Sequence, residues 1–122
     1  MAGQRAKPRG CRSVGRHAYN KLNHPAGTDD ERSSDFNEAL NDPQVRAMFA
    51  TGGGKGAYRI AERLDFDCAQ RDSKFLVGFS DVTILQMALW KQGVGAQRIP
   101  MGFPTTLDAE HGILTVNRLR SI

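Results

Sequence analysis

At 122 residues the chain is long enough for one modest domain and too short for two of ordinary size. With 25% charged and 39% hydrophobic residues it has the composition of a soluble globular protein. No run approaches the roughly 18 uninterrupted apolar residues of a membrane helix, and the start lacks the apolar core of a secretory signal, so a cytoplasmic location without membrane contact is expected.

The formal net charge of +4 is unevenly spread. Arg5, Lys7, Arg9, Arg12, Arg16 and Lys21 precede the first acid, Asp29, and the remainder carries eleven basic against thirteen acidic residues. The basic segment has neither aromatic interleaving nor an amphipathic repeat, so residues 1–13 read as a solvated leader. No nucleic-acid partner is expected. Cys11 and Cys68 lie far apart without C-x-x-C spacing, which argues against a zinc site; no metal or other cofactor is expected.

After the leader, "AGTDDERSSDFNEALNDPQ" opens a helix: Thr28 and Glu31 form a capping box, with Asp29 and Asp30 in the first turn, where the helix dipole favours negative charge. Phe36, Ala39 and Leu40 supply its apolar face, and Asn41-Asp42-Pro43 stops it. Val45 to Ala50 reads as a short strand covered on both sides. "TGGGKGAYRIAERLDFD" follows as a glycine loop and then a helical face of Tyr58, Ile60, Ala61 and Leu64. Asp65 to Ser73 reads as a short helix or turn.

In "KFLVGFSDVTILQMALW" an apolar run from Phe75 to Phe79 has the composition of a buried strand, whereas Val82 onward repeats at helical spacing. A strand thus hands over to a helix at Ser80. Such a turn pushes a serine hydroxyl out of the backbone path, as in the nucleophile elbow G-x-S-x-G, of which Gly78 and Ser80 fit and Val82 does not. On the local pattern alone, a plain helix cap by Ser80 or Asp81 is the more economical reading. Beyond Trp90 the mixture of Gly, Pro and Thr has no period, and "ILTVNRLRSI" is compatible with a strand or a short helix. The alternation of elements predicts an α/β fold with an open, mostly parallel sheet and crossover helices, Rossmann- or flavodoxin-like, in which ligands sit at the carboxyl ends of strands. Both the glycine loop and Ser80 fall at such ends.

The glycine loop fits neither phosphate template well. The P-loop needs Ser or Thr directly after Gly-Lys, where this chain has Gly56, and the dinucleotide fingerprint lacks its acid after a following strand. Its other use is to present backbone N–H groups to a developing oxyanion.

Together, "DFNEALNDPQVRAMFATGGGKGAYRIAERLDFD" and "KFLVGFSDVTILQMALW" resemble the amino-terminal half of the LD-carboxypeptidase family, serine peptidases that include the microcin C immunity proteins. Gly53, Gly54, Gly56, Arg59, Leu64-Asp65-Phe66-Asp67 and Gly78-Phe79-Ser80-Asp81-Val82-Thr83 match in order and spacing over roughly Val14 to Trp90. The resemblance implies Ser80 as nucleophile and an oxyanion hole from the N–H of Asp81 with one from Gly53-Gly54. It implies a murein peptide or peptide-like substrate, cleaved before a terminal D-amino acid. It divides the chain into the leader, a partial nucleophile domain at residues 14–92, and a divergent tail at 93–122. Three departures accompany it. The family's Arg-Gly-Gly reads Gly52-Gly53-Gly54, and the family's opening strand is not found. The family's Glu and His belong to a carboxyl-terminal domain not found here, so a truncated, incomplete amino-terminal domain with impaired activity is expected. His17, His24 and His111 have no partner at informative spacing and read as incidental. The alternatives are a non-catalytic module whose glycine loop binds phosphate or carboxylate, an inactive gene remnant, and an open sheet whose bare edges make a homodimer or an aggregate.

Overall fold

A computed structural model describes residues 13–19, 27–52, 55–95, 104–108 and 110–117. The leader up to residue 12, His24, Gly53 and Gly54 lie outside the described residues.

Helix α1 spans Asp29–Asn41 and starts as its capping box requires: Glu31 N–H donates to Thr28 Oγ1, and Thr28 N–H donates to Glu31 Oε2. It ends at Asp42, before Pro43, and buries Leu40 with Phe36 packed against the same core. Strand β1 is Ala47–Phe49 and β2 is Phe75–Val77; they run parallel, with Ala47 beside Phe75, Met48 beside Leu76 and Phe49 beside Val77. Hydrogen bonds from Phe75 N–H to the Arg46 carbonyl and from Ala50 N–H to the Val77 carbonyl extend the ladder at each end. The chain is therefore a mixed helix and strand structure with a small parallel sheet, in keeping with the α/β expectation.

Two details depart from the sequence reading. Met48 and Leu76 pack on the core, but Phe49 is 65% exposed and Val77 beside it is exposed too, so the described residues cover the pair on one face only. After the glycine loop the chain makes not one α-helix but two 3₁₀ turns, Ala57–Arg59 and Ala61–Arg63. The tighter winding buries Ala57, Ile60, Ala61 and Leu64 and leaves Tyr58 outside the core. Asn37 of α1 fixes the exit from these turns, donating to the Arg63 carbonyl at 2.7 Å and accepting from Asp65 N–H at 2.8 Å. Those two backbone groups are then unavailable for continued α-helical pairing.

Helix α2, Phe66–Arg71, is capped by Asp65, whose carboxylate accepts from Cys68 N–H and from Asn41. Both hydrogen bonds, led by that from Asn41, hold the Asp65 carboxyl below its usual range. Helix α3, Val82–Lys91, turns Val82, Leu85 and Leu89 inward at helical spacing. The core is one cluster joining Leu40, Ile60, Leu64, Cys68, Leu85 and Leu89. In the tail, Thr105–Asp108 (β3) and Ile113–Val116 (β4) form an antiparallel hairpin, so the opening "ILTV" of the ambiguous stretch is a strand; residues 118–122 lie outside the described residues.

Lys74, just ahead of β2, has a fully buried side chain. Its ammonium donates to the carbonyls of Asp42 and Val45 and to the Asp72 carboxylate, so all three donors are matched. This anchor ties the end of α1 to the start of β2.

Candidate active site: the serine turn and the glycine loop

Because β1 and β2 are parallel and in register, the segments leaving their carboxyl ends start side by side: the glycine loop after Ala50, and the serine turn after Val77. The turn is sharp. A Cβ on Gly78 would lie 2.6 Å from Val82 Cγ1 and 3.2 Å from Ala50 Cβ, so only glycine lets β2, the first turn of α3 and the end of β1 approach this closely. In an elbow with glycine at both small positions the space is shared; here Val82 is branched, and Gly78 alone provides it.

Ser80 has φ +58°, the one positive φ at a non-glycine residue among those described. Such a conformation costs of order 1–3 kcal/mol and persists only where its surroundings impose it. Ser80 is exposed, and its hydroxyl has no hydrogen-bond partner among the described residues. The plain cap reading does not hold: Ser80 precedes the cap position, and Asp81, at that position, makes no side-chain cap. Helix α3 instead opens with bonds spanning three residues, from Val82, Thr83 and Ile84 N–H to the carbonyls of Phe79, Ser80 and Asp81. The N–H of Asp81 has no acceptor among the described residues.

The Asp81 carboxylate reaches across to the glycine loop, where Oδ2 accepts from Gly56 N–H at 3.1 Å. Gly56 has φ +80°, a left-handed conformation suited to glycine. On the loop's other side Arg32 of α1 donates to the carbonyls of Lys55 and Gly56, each at 3.3 Å. Asp29 pairs with Arg32 and, at 2.8 Å, with Arg59 Nε. The Arg32 hydrogen bond, with the Arg59 charge behind it, holds the Asp29 carboxyl below its usual range. Arg59, one of the motif residues, thus faces Asp29.

The described histidines have other partners. His17 meets Asp35 of α1 at 2.7 Å through Nδ1, and its backbone N–H donates to the same carboxylate. His111, in the hairpin turn, meets Asp108 at 2.8 Å, which raises the imidazole pKa above 6.5. Neither is incidental in the sense expected from the sequence, since each has a carboxylate partner; neither hydrogen-bonds Ser80. No group of three or more His, Cys, Asp or Glu able to hold a metal occurs among the described residues, and no described helix is long and apolar enough to cross a membrane.

A sequence pattern five residues long points to the turn that Gly78 and Ser80 form. It read Asp29 only as a first-turn acid and did not single out Arg32 or Lys74. The partners of Arg32 on the loop are 23 and 24 residues away, and no local signal announces them.

Comparison with known proteins agrees with these motifs. A probable murein peptide carboxypeptidase of Bacillus subtilis is 37% identical over 76 residues, covering 62% of this chain and 24% of the relative. A murein tetrapeptide carboxypeptidase of Pseudomonas aeruginosa is 32% identical over 89 residues, 72% of this chain and 29% of that protein. The microcin C7 self-immunity protein of Escherichia coli is 31% identical over 65 residues, 53% of this chain and 19% of that protein. The chain thus spans about a quarter of the length of the curated relatives it matches. No solved structure matches it significantly. The family model of the LD-carboxypeptidase N-terminal domain matches residues 3–97, and the chain belongs to that family.

Proposed function

We propose that this chain carries the nucleophile of a serine-type LD-carboxypeptidase acting on a murein peptide, with β1 and β2 as an inner pair of an open, Rossmann-like sheet. The observation that carries the reading is the positive φ of Ser80 at the carboxyl end of β2, where a close glycine contact shapes the turn. Two relatives bear the names murein peptide and murein tetrapeptide carboxypeptidase, which supplies the substrate class. In this reading Ser80 Oγ attacks the carbonyl before a terminal D-amino acid, a general base takes the hydroxyl proton, and the amine departs protonated to leave an acyl-serine that water hydrolyses. The N–H of Asp81, with one from Gly53 or Gly54, stabilises the oxyanion. No described histidine hydrogen-bonds Ser80, and in this reading the base is supplied from outside the described residues.

The alternative, a phosphate- or carboxylate-binding glycine loop without catalysis, has fewer donors than the sequence suggests. The Gly56 N–H is already committed to Asp81. A fluorophosphonate probe tests the enzyme reading directly. One covalent adduct on Ser80, absent from Ser80→Ala, is expected by mass spectrometry; an unmodified protein across the pH range would remove the reading for this chain. Nucleotide or carboxylate binding that survives Ser80→Ala would then favour the module.

A further inference from the structure

The peptide unit joining Lys55 to Gly56 is gripped from both sides. Arg32 Nη1 donates to its carbonyl at 3.3 Å, while its N–H donates to Asp81 Oδ2 at 3.1 Å. In a trans peptide these two groups point in opposite directions. A guanidinium at the carbonyl end and a carboxylate at the N–H end therefore align with the dipole of the peptide itself, and each contact polarises the other favourably. Asp29 orients the guanidinium, and the two side chains are only 19% and 14% exposed. Arg32 Nε is buried without an acceptor. The guanidinium is thus held by its outer nitrogens, two contacts of which go to the loop.

We propose that Arg32 is a positioning residue: braced by Asp29, it fixes the Lys55–Gly56 peptide against Asp81 and so holds the glycine loop in place beside the Ser80 turn. This rests on the reading of Ser80 as nucleophile and of the loop as an oxyanion donor. Gly56 N–H is occupied by Asp81 and is not the loop's oxyanion donor; the clamped peptide is the described part of the loop that meets the Ser80 turn. Asp81 serves twice, its carboxylate anchoring the loop while its own N–H stays free of acceptors among the described residues.

The test follows the Gly56 amide and Ser80 together in Arg32→Met and Arg32→Lys. In the parent protein, hydrogen exchange read by NMR should show a protected Gly56 amide. Arg32→Met should lose that protection and slow Ser80 phosphonylation roughly 10- to 100-fold, the scale set by misplacing a transition-state donor. The β1–β2 ladder amides should keep their exchange rates, which separates a local effect from general loosening. Arg32→Lys keeps the charge but cannot fork onto two carbonyls, and should recover part of both signals. If Arg32→Met fails to fold, Arg32→Lys against the parent carries the comparison. Unchanged Gly56 protection, or lost protection with an unchanged labelling rate, overturns the positioning role alone. Absence of labelling in the parent overturns the nucleophile reading, and the catalytic meaning of the brace with it.

Discussion

Gly78 and Ser80 divide between them the two demands of a sharp strand-to-helix turn: one makes room, the other takes the strained backbone. Both were legible in the sequence because the demand is local. Gly78→Ala places a Cβ 2.6 Å from Val82 Cγ1, in a turn that cannot move without displacing α3 or β1. It should destabilise the protein by about 1–3 kcal/mol, the usual cost of overpacking, and depress Ser80 labelling beyond what lost stability explains. Urea unfolding and labelling at matched folded fraction check this; a fully stable, fully reactive Gly78→Ala would mean that the turn relaxes freely. Asp81 shows the opposite case. As a helix-start aspartate it invites the capping reading, yet its carboxylate goes to Gly56, 25 residues away, because the parallel pairing puts that amide within reach.

At the scale of elements, α1 was the most legible. Its capping box and its stop at Asp42-Pro43 are encoded in adjacent residues, and the structure has both. The segment after the glycine loop was misread, since Asn37 captures its backbone groups from another element. The junctions have opposite pH dependence. Asp29, Asp65 and Asp72 have carboxyls held below the ordinary 3.8, by hydrogen bonds led by Arg32, Asn41 and Lys74 respectively. Depressed folded-state values stabilise the fold above about pH 4 and lose that contribution as pH falls through them. His111 is raised above 6.5 by Asp108, with Glu110 adding to it, so its contribution to the hairpin is complete below 6.5 and fades as pH rises through the folded value. Thermal melts should therefore show the melting temperature dropping below pH 4. In NMR titration, Thr106 and Leu114 amide shifts should drift toward coil values on the alkaline side of His111. A melting temperature flat from pH 7 to 3 would contradict the first expectation, and hairpin shifts indifferent to His111 the second.

The molecule as a whole depends on a small core. Leu40 is 2% exposed and joins α1 to the 3₁₀ turns, α2 and α3 through the central cluster. Leu40→Ala should cost about 2–5 kcal/mol, a large share of the roughly 5–15 kcal/mol that holds an ordinary domain. A lowered urea midpoint with an unchanged slope is the expected result; a loss below about 1 kcal/mol would mean the cluster refills the space. The sequence by itself determined the family, the capping box of α1, the two parallel strands and the serine turn, since each is written in residues within a few positions of one another. Only the tertiary structure decided that Phe49 stays exposed, that Lys74 is a buried anchor, and that Arg32 and Asp81 grip one peptide of the glycine loop. Those outcomes depend on which backbone groups meet across 20 or more residues of chain, and side-chain chemistry at either end carries no record of its distant partner.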